Sequence, residues 1–430
     1  MSGETMGGEN LRSVDPQPVD PHLNTLTRTL FRSLHQASGK FAMFGHQNET
    51  SNVIGPNTDS DVHAVTGTYP ALWGSDLSGV ERDETTNIDG FSMGDVRDEL
   101  LRAYTMGAVT TMSWHSANPI TFGGYGHNMA PGSVAAVLPG GARHGQFLEW
   151  LDRVASFLDS VVDGVSGESV PIVFRPFHEH TGDWLWWSTG APAQPTDTTP
   201  EQFVALWRMT VDYLRDSCGL HNVLYAYSPD RSRIDMSSES TCEAGYLYAY
   251  PGDVLGFDDY WDIAPADVEA ERPRERHDDL ITMLTVVGRL ARERGKIAAA
   301  TEVGSPGEFA SRYVMSAEDE AALAGAGACA SAADDGCAAH GESNAVGSGT
   351  AQTAAPSESD SPWTRYLLTA ALANSDTRRV LWYMPWRNDP GAAGTGAYGT
   401  PVEESRYAAD FRRFTKHPFI RMANTLPPLY

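Results

Sequence analysis

Residues 173–188 bring ionisable side chains and tryptophans together in one short stretch, VFRPFHEHTGDWLWWS. Glu179 lies between two histidines there, and three tryptophans follow it closely. Because a buried charge must be paired and a buried imidazole hydrogen-bonded, an ordinary core strand would not carry this set of side chains. The stretch is typical of three kinds of site: a metal centre, a carbohydrate-binding surface or an acid–base centre.

A second glutamate, Glu302 in the segment ATEVG, also ends an apolar run. Hydrolysis of a glycosidic bond needs two such carboxyl groups, a proton donor and a partner on the other side of the sugar ring. Burial beside Trp184 would raise the pKa of Glu179 and keep this residue protonated as the acid. A hydrogen bond donated by Tyr260 would keep Glu302 ionised. The two glutamates together favour an acid–base centre.

Two other interpretations of these residues stay open. Either glutamate could be a solvated loop residue, or could form a structural ion pair with Arg175 or Arg387. His178 and His180 alternate along the chain, so they would face the same side if the strand continued, and they could then bind a metal with other strand-end residues. Their spacing matches no zinc motif, so we expect no metal and no cofactor. A hydrolase with a barrel fold that depends on a metal ion is therefore the alternative from a different class of enzyme.

Short apolar runs alternate with amphipathic stretches along most of the chain. Eight runs are candidate strands, at 40–47, 69–77, 108–115, 170–179, 222–230, 253–260, 296–304 and 380–389. The clearest helices are predicted at 145–162, 199–217, 275–294 and 362–374. Apolar strands that alternate with helices have both faces covered, and eight of them predict an α/β fold, a (β/α)8 TIM barrel in a single domain.

Every one of the eight runs ends in a side chain that could do chemistry or bind a ligand. These residues are His46, Asp76, His115, Glu179, Asp230, Tyr260, Glu302 and Trp386. The carboxyl ends of the strands form one mouth of a barrel, where barrel enzymes build their active sites. The predicted fold therefore brings the two glutamates to the same cleft.

Composition divides the chain into a leader, a barrel and an insertion. Residues 1–20 read as a flexible polar leader, and residues 21–430 as the catalytic domain. Within that domain, residues 316–361 are rich in Ala, Gly and Ser and nearly free of aromatic residues. We interpret them as a low-complexity insertion after the seventh strand.

The charge balance limits the partners of this chain. It carries 56 acidic and 31 basic residues, a formal net charge of −25. Nucleic acid and anionic membranes need a basic surface, so we expect neither as a partner. No apolar run reaches the roughly 18 residues of a membrane-spanning segment.

The quoted stretch resembles the acid/base segment of glycoside hydrolase family 26, a group of clan A β-mannanases. The likeness continues through LYAYSPD, YPGDVLGFDDY, TEVG and WYMPWRND, with FGHQ and SWHSANP upstream, and covers about residues 25–425 in the correct order. It implies a (β/α)8 barrel that hydrolyses β-1,4-mannan with retention, Glu179 being the acid/base and Glu302 the nucleophile. The partner implied is a polysaccharide or oligosaccharide, and we expect a monomer.

The resemblance also implies which other side chains line the sugar-binding subsites. These are His115, Arg175, His178, Trp184, Asp258, Tyr260, Trp386 and Arg387. Among them, Arg175 should orient the neighbouring acids, His178 should hydrogen-bond Glu302, and Trp386 should form the floor beneath a sugar.

Two features depart from the family pattern, and the substrate and the localisation stay undecided. The segment before Tyr260 is shortened, so Asp253 is a less certain match, and the long insertion is atypical. The same fold and mechanism acting on β-1,3-xylan or mixed-linkage β-glucan is the alternative substrate choice. The resemblance implies a secreted protein although residues 1–21 lack an apolar signal core, and a cytoplasmic one if Met1 is the native start.

Overall fold

The computed structural model describes residues 16–123, 129–190, 196–246, 252–260, 273–304, 362–388, 399–405 and 407–430. Ten strands lie in this part of the chain: β1 Ala42–Gln47, β2 Leu72–Asp76, β3 Val109–Trp114, β4 Ile172–Pro176, β5 Val223–Tyr227, β6 Val254–Leu255, β7 Asp258–Asp259, β8 Ile297–Val303, β9 Val380–Pro385 and β10 Ile420–Arg421. The predicted insertion at 316–361 lies outside the described residues.

The strands close into a parallel barrel. Each pairs in parallel with the next from β1 to β6, β6 pairs β8, β8 pairs β9, and β9 returns to β1. The predicted (β/α)8 barrel is confirmed, and each predicted strand segment contributes to it in the predicted order. The sixth segment forms two short strands, because β7 pairs with β8 further along, at Glu302 and Val303. The sequence prediction missed β10, which pairs with the start of β1.

Helices surround this barrel on the outside. They are α1 Thr25–Ala37, α2 Asp61–Thr66, α3 Met93–Thr105, α4 Ser133–Val137, α5 His144–Asp159, α6 Pro200–Asp212, α7 Glu239–Tyr246, α8 Pro273–Arg294, α9 Thr369–Leu372 and α10 Ala408–Thr415. π-helical segments at Tyr213–Ser217 and Pro362–Leu368 follow α6 and precede α9. Among the described helices, none combines the length and the apolar composition that crossing a membrane requires.

Local sequence explains where these helices begin and which face they bury. Thr199 caps α6 by accepting a hydrogen bond from the Gln202 backbone N–H, and the Gln202 side chain accepts one in return. This reciprocal capping satisfies two N–H groups that the first helical turn leaves free. On the predicted helix at 145–162, all six apolar positions of one face are buried: Phe147, Leu151, Val154, Phe157, Leu158 and Val161.

Apolar side chains fill the lower part of the barrel and leave the mouth to polar ones. Val109, Val173 and Leu224, on neighbouring strands, belong to one buried cluster with Leu30 and Leu34 of α1. Alternate residues of the same strands point outward into the helix layer, since successive side chains of a strand face opposite sides. A solid apolar base supports the polar groups that follow at the carboxyl ends.

The end of the predicted leader packs on this barrel. The Val19 backbone N–H donates to Asp253 at 2.7 Å, and Asp20 pairs with His221 at 2.8 Å. Residues 1–15 lie outside the described part of the chain. Asp253 directly precedes β6 and also accepts the backbone N–H of Tyr225. It therefore anchors the amino end of β6, the end opposite to the mouth.

Candidate active site

The chain changes direction at the carboxyl end of β4, and this turn places Glu179. Strand pairing stops at Pro176, and both Phe177 (φ 52°) and Glu179 (φ 53°) adopt the left-handed backbone region that non-glycine residues rarely enter. The Glu179 backbone N–H donates to the Ser228 carbonyl at 2.8 Å, which fixes the turn against the end of β5. Side chains no longer alternate between two sides here as they do along a strand, so His178 and His180 do not face the same side.

The environment of Glu179 favours its protonated form. Burial raises its pKa well above the usual range, and the charges of Glu302, Asp258 and Asp230 act in the same direction. Trp184 donates its indole N–H to the Glu179 carboxyl at 2.6 Å, and this hydrogen bond lowers the pKa. The predicted rise through burial is confirmed, and the hydrogen bond from the Trp184 indole, which was not predicted, partly offsets it.

Glu302 has the opposite surroundings, because cationic and polar donors hold both of its oxygens. It lies on β8, and its side chain is 3% exposed. Arg175 donates to Oε1, and the Tyr260 hydroxyl donates to Oε2. Hydrogen bonds of this kind stabilise a carboxylate anion. The structure thus contains the predicted hydrogen bond from Tyr260 to Glu302.

Arg175 and Asp258 lie beneath the two glutamates and are not open to the cleft. Arg175 donates to Asp258 at 2.8 Å as well as to Glu302, and its side chain is 1% exposed. Asp258 is fully buried and also accepts the Thr301 hydroxyl at 2.7 Å. The resemblance placed both among the residues that line the sugar-binding subsites, but here they pair with each other, and neither side chain is more than 1% exposed. They hold Glu302 in place instead.

The two glutamates are close together. One carboxylate oxygen from each of Glu179, Asp258 and Glu302 lies within 4.8 Å of the others. Retaining glycosidases place their two carboxyls about 5–5.5 Å apart, whereas inverting enzymes need about 6.5–9.5 Å to admit a water molecule. The separation fits direct attack by one carboxylate on the sugar.

The two histidines nearest this pair contact one another. His115 Nε2 and His178 Nε2 are 3.1 Å apart, and His115 Nδ1 lies 2.8 Å from Asp76. The hydrogen bond predicted between His178 and Glu302 was wrong, because the turn after β4 directs the His178 ring towards β3. Burial lowers the pKa of His178 well below its usual range, and the charge of His115 lowers it further.

His180 lies in a different environment from His178. Its Nε2 is 2.6 Å from the Tyr227 hydroxyl, and its ring stacks on Phe203 with centroids 4.0 Å apart. Burial lowers the pKa of His180 to about 3. The metal interpretation required the two HEH imidazoles to converge, and they do not. Three carboxylates are close enough to hold a cation, but the guanidinium of Arg175 already pairs with two of them.

The sequence profile of glycosyl hydrolase family 26 matches residues 19–319. This chain belongs to that family. A mannan endo-1,4-β-mannosidase of Bifidobacterium adolescentis is 33% identical over 298 residues, 67% of this chain and 28% of that protein. One of Bacillus subtilis strain 168 is 26% identical over 262 residues, 57% of this chain and 67% of that protein.

Solved structures of the family have the same fold. A family 26 β-mannanase of Bacteroides ovatus superposes with a TM-score of 0.71 at 29% identity, covering 95% of this chain and 97% of that one. A modular endo-β-1,4-mannanase of Cellulomonas fimi gives 0.71 at 26% identity, covering 96% and 79%. The chain spans only 28% of the length of the Bifidobacterium relative, so that protein carries much that has no counterpart here.

The remaining predicted residues of this family 26 site lie around the cleft. Trp386 follows β9 and is partly exposed, with its ring 6.2 Å from that of His115. Trp184 is also partly exposed. Arg387 lies 2.8 Å from Asp89, a residue of the loop after β2. Both tryptophans thus present ring surface to the cleft, and Arg387 is held at its edge.

Sequence reasoning missed several residues that support the family 26 site. Asp76 was recognised as a strand-end residue but was given no place in the site, and Ser228 and Thr301 were not considered. The position of Ser228, one residue after β5, was a usable signal. No sequence signal marked Asp89, because it lies in a loop whose path only the folded chain defines.

Proposed function

We propose that this chain is a retaining endo-β-1,4-mannanase that hydrolyses mannan, glucomannan or galactomannan by double displacement. The proposal rests on one observation above all: two carboxyls at retaining distance lie in electrostatically opposite surroundings. Glu179 is held protonated, and Glu302 is held by an arginine and a tyrosine. Pairs of titratable groups whose environments differ in this way divide the roles of acid and nucleophile. The names of the relatives support the substrate.

The first displacement uses both glutamates at once. A carboxylate oxygen of Glu302 attacks the anomeric carbon, and the bond from that carbon to the leaving oxygen breaks. Glu179 gives its proton to the leaving oxygen and becomes a carboxylate. The products are a shortened chain with a free hydroxyl and a glycosyl ester on Glu302.

The second displacement returns the enzyme to its starting state. The Glu179 carboxylate takes a proton from a water molecule, whose oxygen attacks the anomeric carbon. The ester bond breaks, and its electron pair returns to Glu302 as a carboxylate. Arg175 and Tyr260 stabilise that charge whenever it is present. Two inversions at one carbon give overall retention.

Specificity for mannose must come from groups near its axial 2-hydroxyl. A site discriminates strongly only if it rewards a hydroxyl with a hydrogen bond. His115, whose side chain is partly exposed, is the polar side chain placed to do so, with His178 in contact behind it, and Trp386 offers a ring on which the sugar can stack. These residues do not exclude xylose or glucose by themselves, so the loops at the strand ends must complete the selection.

The substrate is tested on a panel of pure polysaccharides. We expect clear hydrolysis of β-1,4-mannan and at least about tenfold lower kcat/KM on xylan and on cellulose-type chains, which corresponds to about 1.4 kcal/mol of transition-state preference. Proton NMR of the first products should show the β-anomer before mutarotation. Equal or faster hydrolysis of β-1,3-xylan or mixed-linkage glucan would overturn the substrate, and an initial α-anomer would overturn the mechanism.

Removal of metal ions should not affect hydrolysis. Arg175 supplies the positive charge beside the carboxylates, so the reaction needs no cation there. Prolonged treatment with EDTA followed by desalting should leave the rate on mannan unchanged, and elemental analysis should find no stoichiometric transition metal. Activity that is lost with the chelator and restored by zinc would instead establish the metal-dependent hydrolase.

A further inference from the structure

Three residues at the carboxyl ends of β2, β3 and β4 form a series of two contacts beside the catalytic glutamates. It runs from Asp76 through His115 to His178. The two contact distances are 2.8 and 3.1 Å. The series reaches the cleft only at His115, whose side chain is 15% exposed.

Asp76 is built to remain a carboxylate. It is fully buried, and it accepts hydrogen bonds from the Ser78 backbone N–H at 2.8 Å, from the Ser113 hydroxyl at 2.7 Å and from the His115 backbone N–H at 3.2 Å. Burial raises the pKa of Asp76, but its partners, His115 foremost, outweigh this effect and lower it overall. An ionised Asp76 requires a proton on the Nδ1 that faces it.

The contact between the two histidine rings then admits two proton arrangements. Either His115 carries a second proton on Nε2 and donates it to His178, or His178 carries its proton on Nε2 and donates it to a neutral His115. Burial and the charges of His115 and Arg175 lower the pKa of His178. Burial also lowers the pKa of His115, but Asp76 and Glu302 outweigh it and raise the pKa overall. Both shifts favour the first arrangement.

We propose that Asp76 is a positioning residue that holds His115 as an imidazolium, so that a fixed positive charge faces the nucleophile Glu302 and a proton is directed to His178. The inference rests on the proposed function and deepens it. Charged and titratable groups face His115 from several elements: Asp76 on β2, Asp89 in the loop after β2, Arg175 and His178 at the end of β4, and Glu302 on β8.

Active enzyme then needs two protons, one on Glu179 and one on His115. In Asp76→Asn the carboxylate charge is gone but the side-chain shape remains, so the pKa of His115 should fall. We expect kcat/KM on mannan to drop about tenfold or more at pH 7. At pH 5 the deficit relative to the native protein should shrink, because the lower pH protonates a larger fraction of His115.

The pH dependence separates this role from a merely structural one. A variant with a damaged barrel would lose activity to the same extent at pH 5 and pH 7, and this result would overturn the proposal. Ser113→Ala is the matched control, because it removes one hydrogen bond to the same carboxylate oxygen and keeps the charge. Its pH profile should keep the native alkaline limb, and a profile like that of Asp76→Asn would also count against the proposal.

Direct titration of the native protein decides the question without substrate. In nitrogen-15 NMR spectra, both ring nitrogens of His115 should show protonation at pH 7, and His178 should be neutral. A neutral His115 would overturn the inference even if the Asp76 variant failed to fold. If the native chain cleaves no mannan, the proposed function fails, while the titration of His115 still tests the arrangement of protons.

Discussion

Glu302→Ala should lower kcat on β-mannan by at least about three orders of magnitude, the scale of loss when a nucleophile is removed. The variant keeps Glu179, and with it the proton donor, but no group remains to form the glycosyl ester. Circular dichroism and binding of mannooligosaccharides should remain close to native, since the other side chains of the cleft are unchanged and the Glu302 side chain is only 3% exposed. The measurement is steady-state hydrolysis of mannan beside these two checks.

Azide provides a positive test of the same assignment. With an aryl β-mannoside as substrate, azide can occupy the space left by the carboxylate and attack the anomeric carbon from the face opposite to the leaving group. The product should be the α-mannosyl azide, with partial recovery of the rate. Glu149→Ala, at an exposed position on α5, is the control and should behave like the native protein. Substantial residual activity of Glu302→Ala on mannan would exclude Glu302 as the nucleophile.

Glu179→Ala should reduce the rate on mannan by about two to four orders of magnitude, the range of general acid–base catalysis. A substrate with a good leaving group, such as a dinitrophenyl β-mannoside, needs no protonation, so formation of the glycosyl-enzyme should be nearly native. Its breakdown should be slow and accelerated by azide, which attacks the ester from the opposite face. The product here should be the β-mannosyl azide, opposite in configuration to that of Glu302→Ala.

The pH profile gives a second measurement for Glu179. Its folded-state pKa is raised, so the acid form persists above the usual titration range of a glutamic acid and is lost as pH rises through the raised value. The native profile for kcat/KM on mannan should therefore have an alkaline limb to which the ionisation of Glu179 contributes, and Glu179→Ala should lose that contribution while keeping the one assigned to His115. Trp184→Phe keeps an aromatic ring but removes the N–H that lowers this pKa, so its limb should move to higher pH. An alkaline limb whose position and shape are unchanged in Glu179→Ala would assign the proton donor elsewhere.

Periodicity and strand-end chemistry were enough to predict most of the fold. Apolar runs between amphipathic helices predict a barrel because each run must be covered on both faces. The division of the sixth strand could not be predicted, since it depends on how Asp258 and Glu302 align across two strands. Nor could β10, because Ile420–Arg421 pairs over only two residues and leaves almost no periodic pattern.

The position of the two glutamates was predictable, but the contacts around them were only partly so. Both follow apolar runs, and the topology alone brings the ends of those runs together. The direction of His178 was not predictable, because it depends on two left-handed residues that no sequence rule places there. Burial of Arg175 and Asp258 was equally hidden, since a charged pair looks the same in a sequence whether it lies above or below the cleft.

The left-handed backbone at Glu179 means that the residue needed for catalysis is not the residue that would give the highest conformational stability at this position. A glycine would adopt that conformation without strain, and it would also remove a carboxyl that burial holds protonated. Selection for heat resistance alone should therefore favour the loss of the proton donor, and only selection for turnover maintains it. Directed evolution of a more robust variant would have to fix this position beforehand and seek its gains in the outer helices, where the chemistry imposes no such conflict.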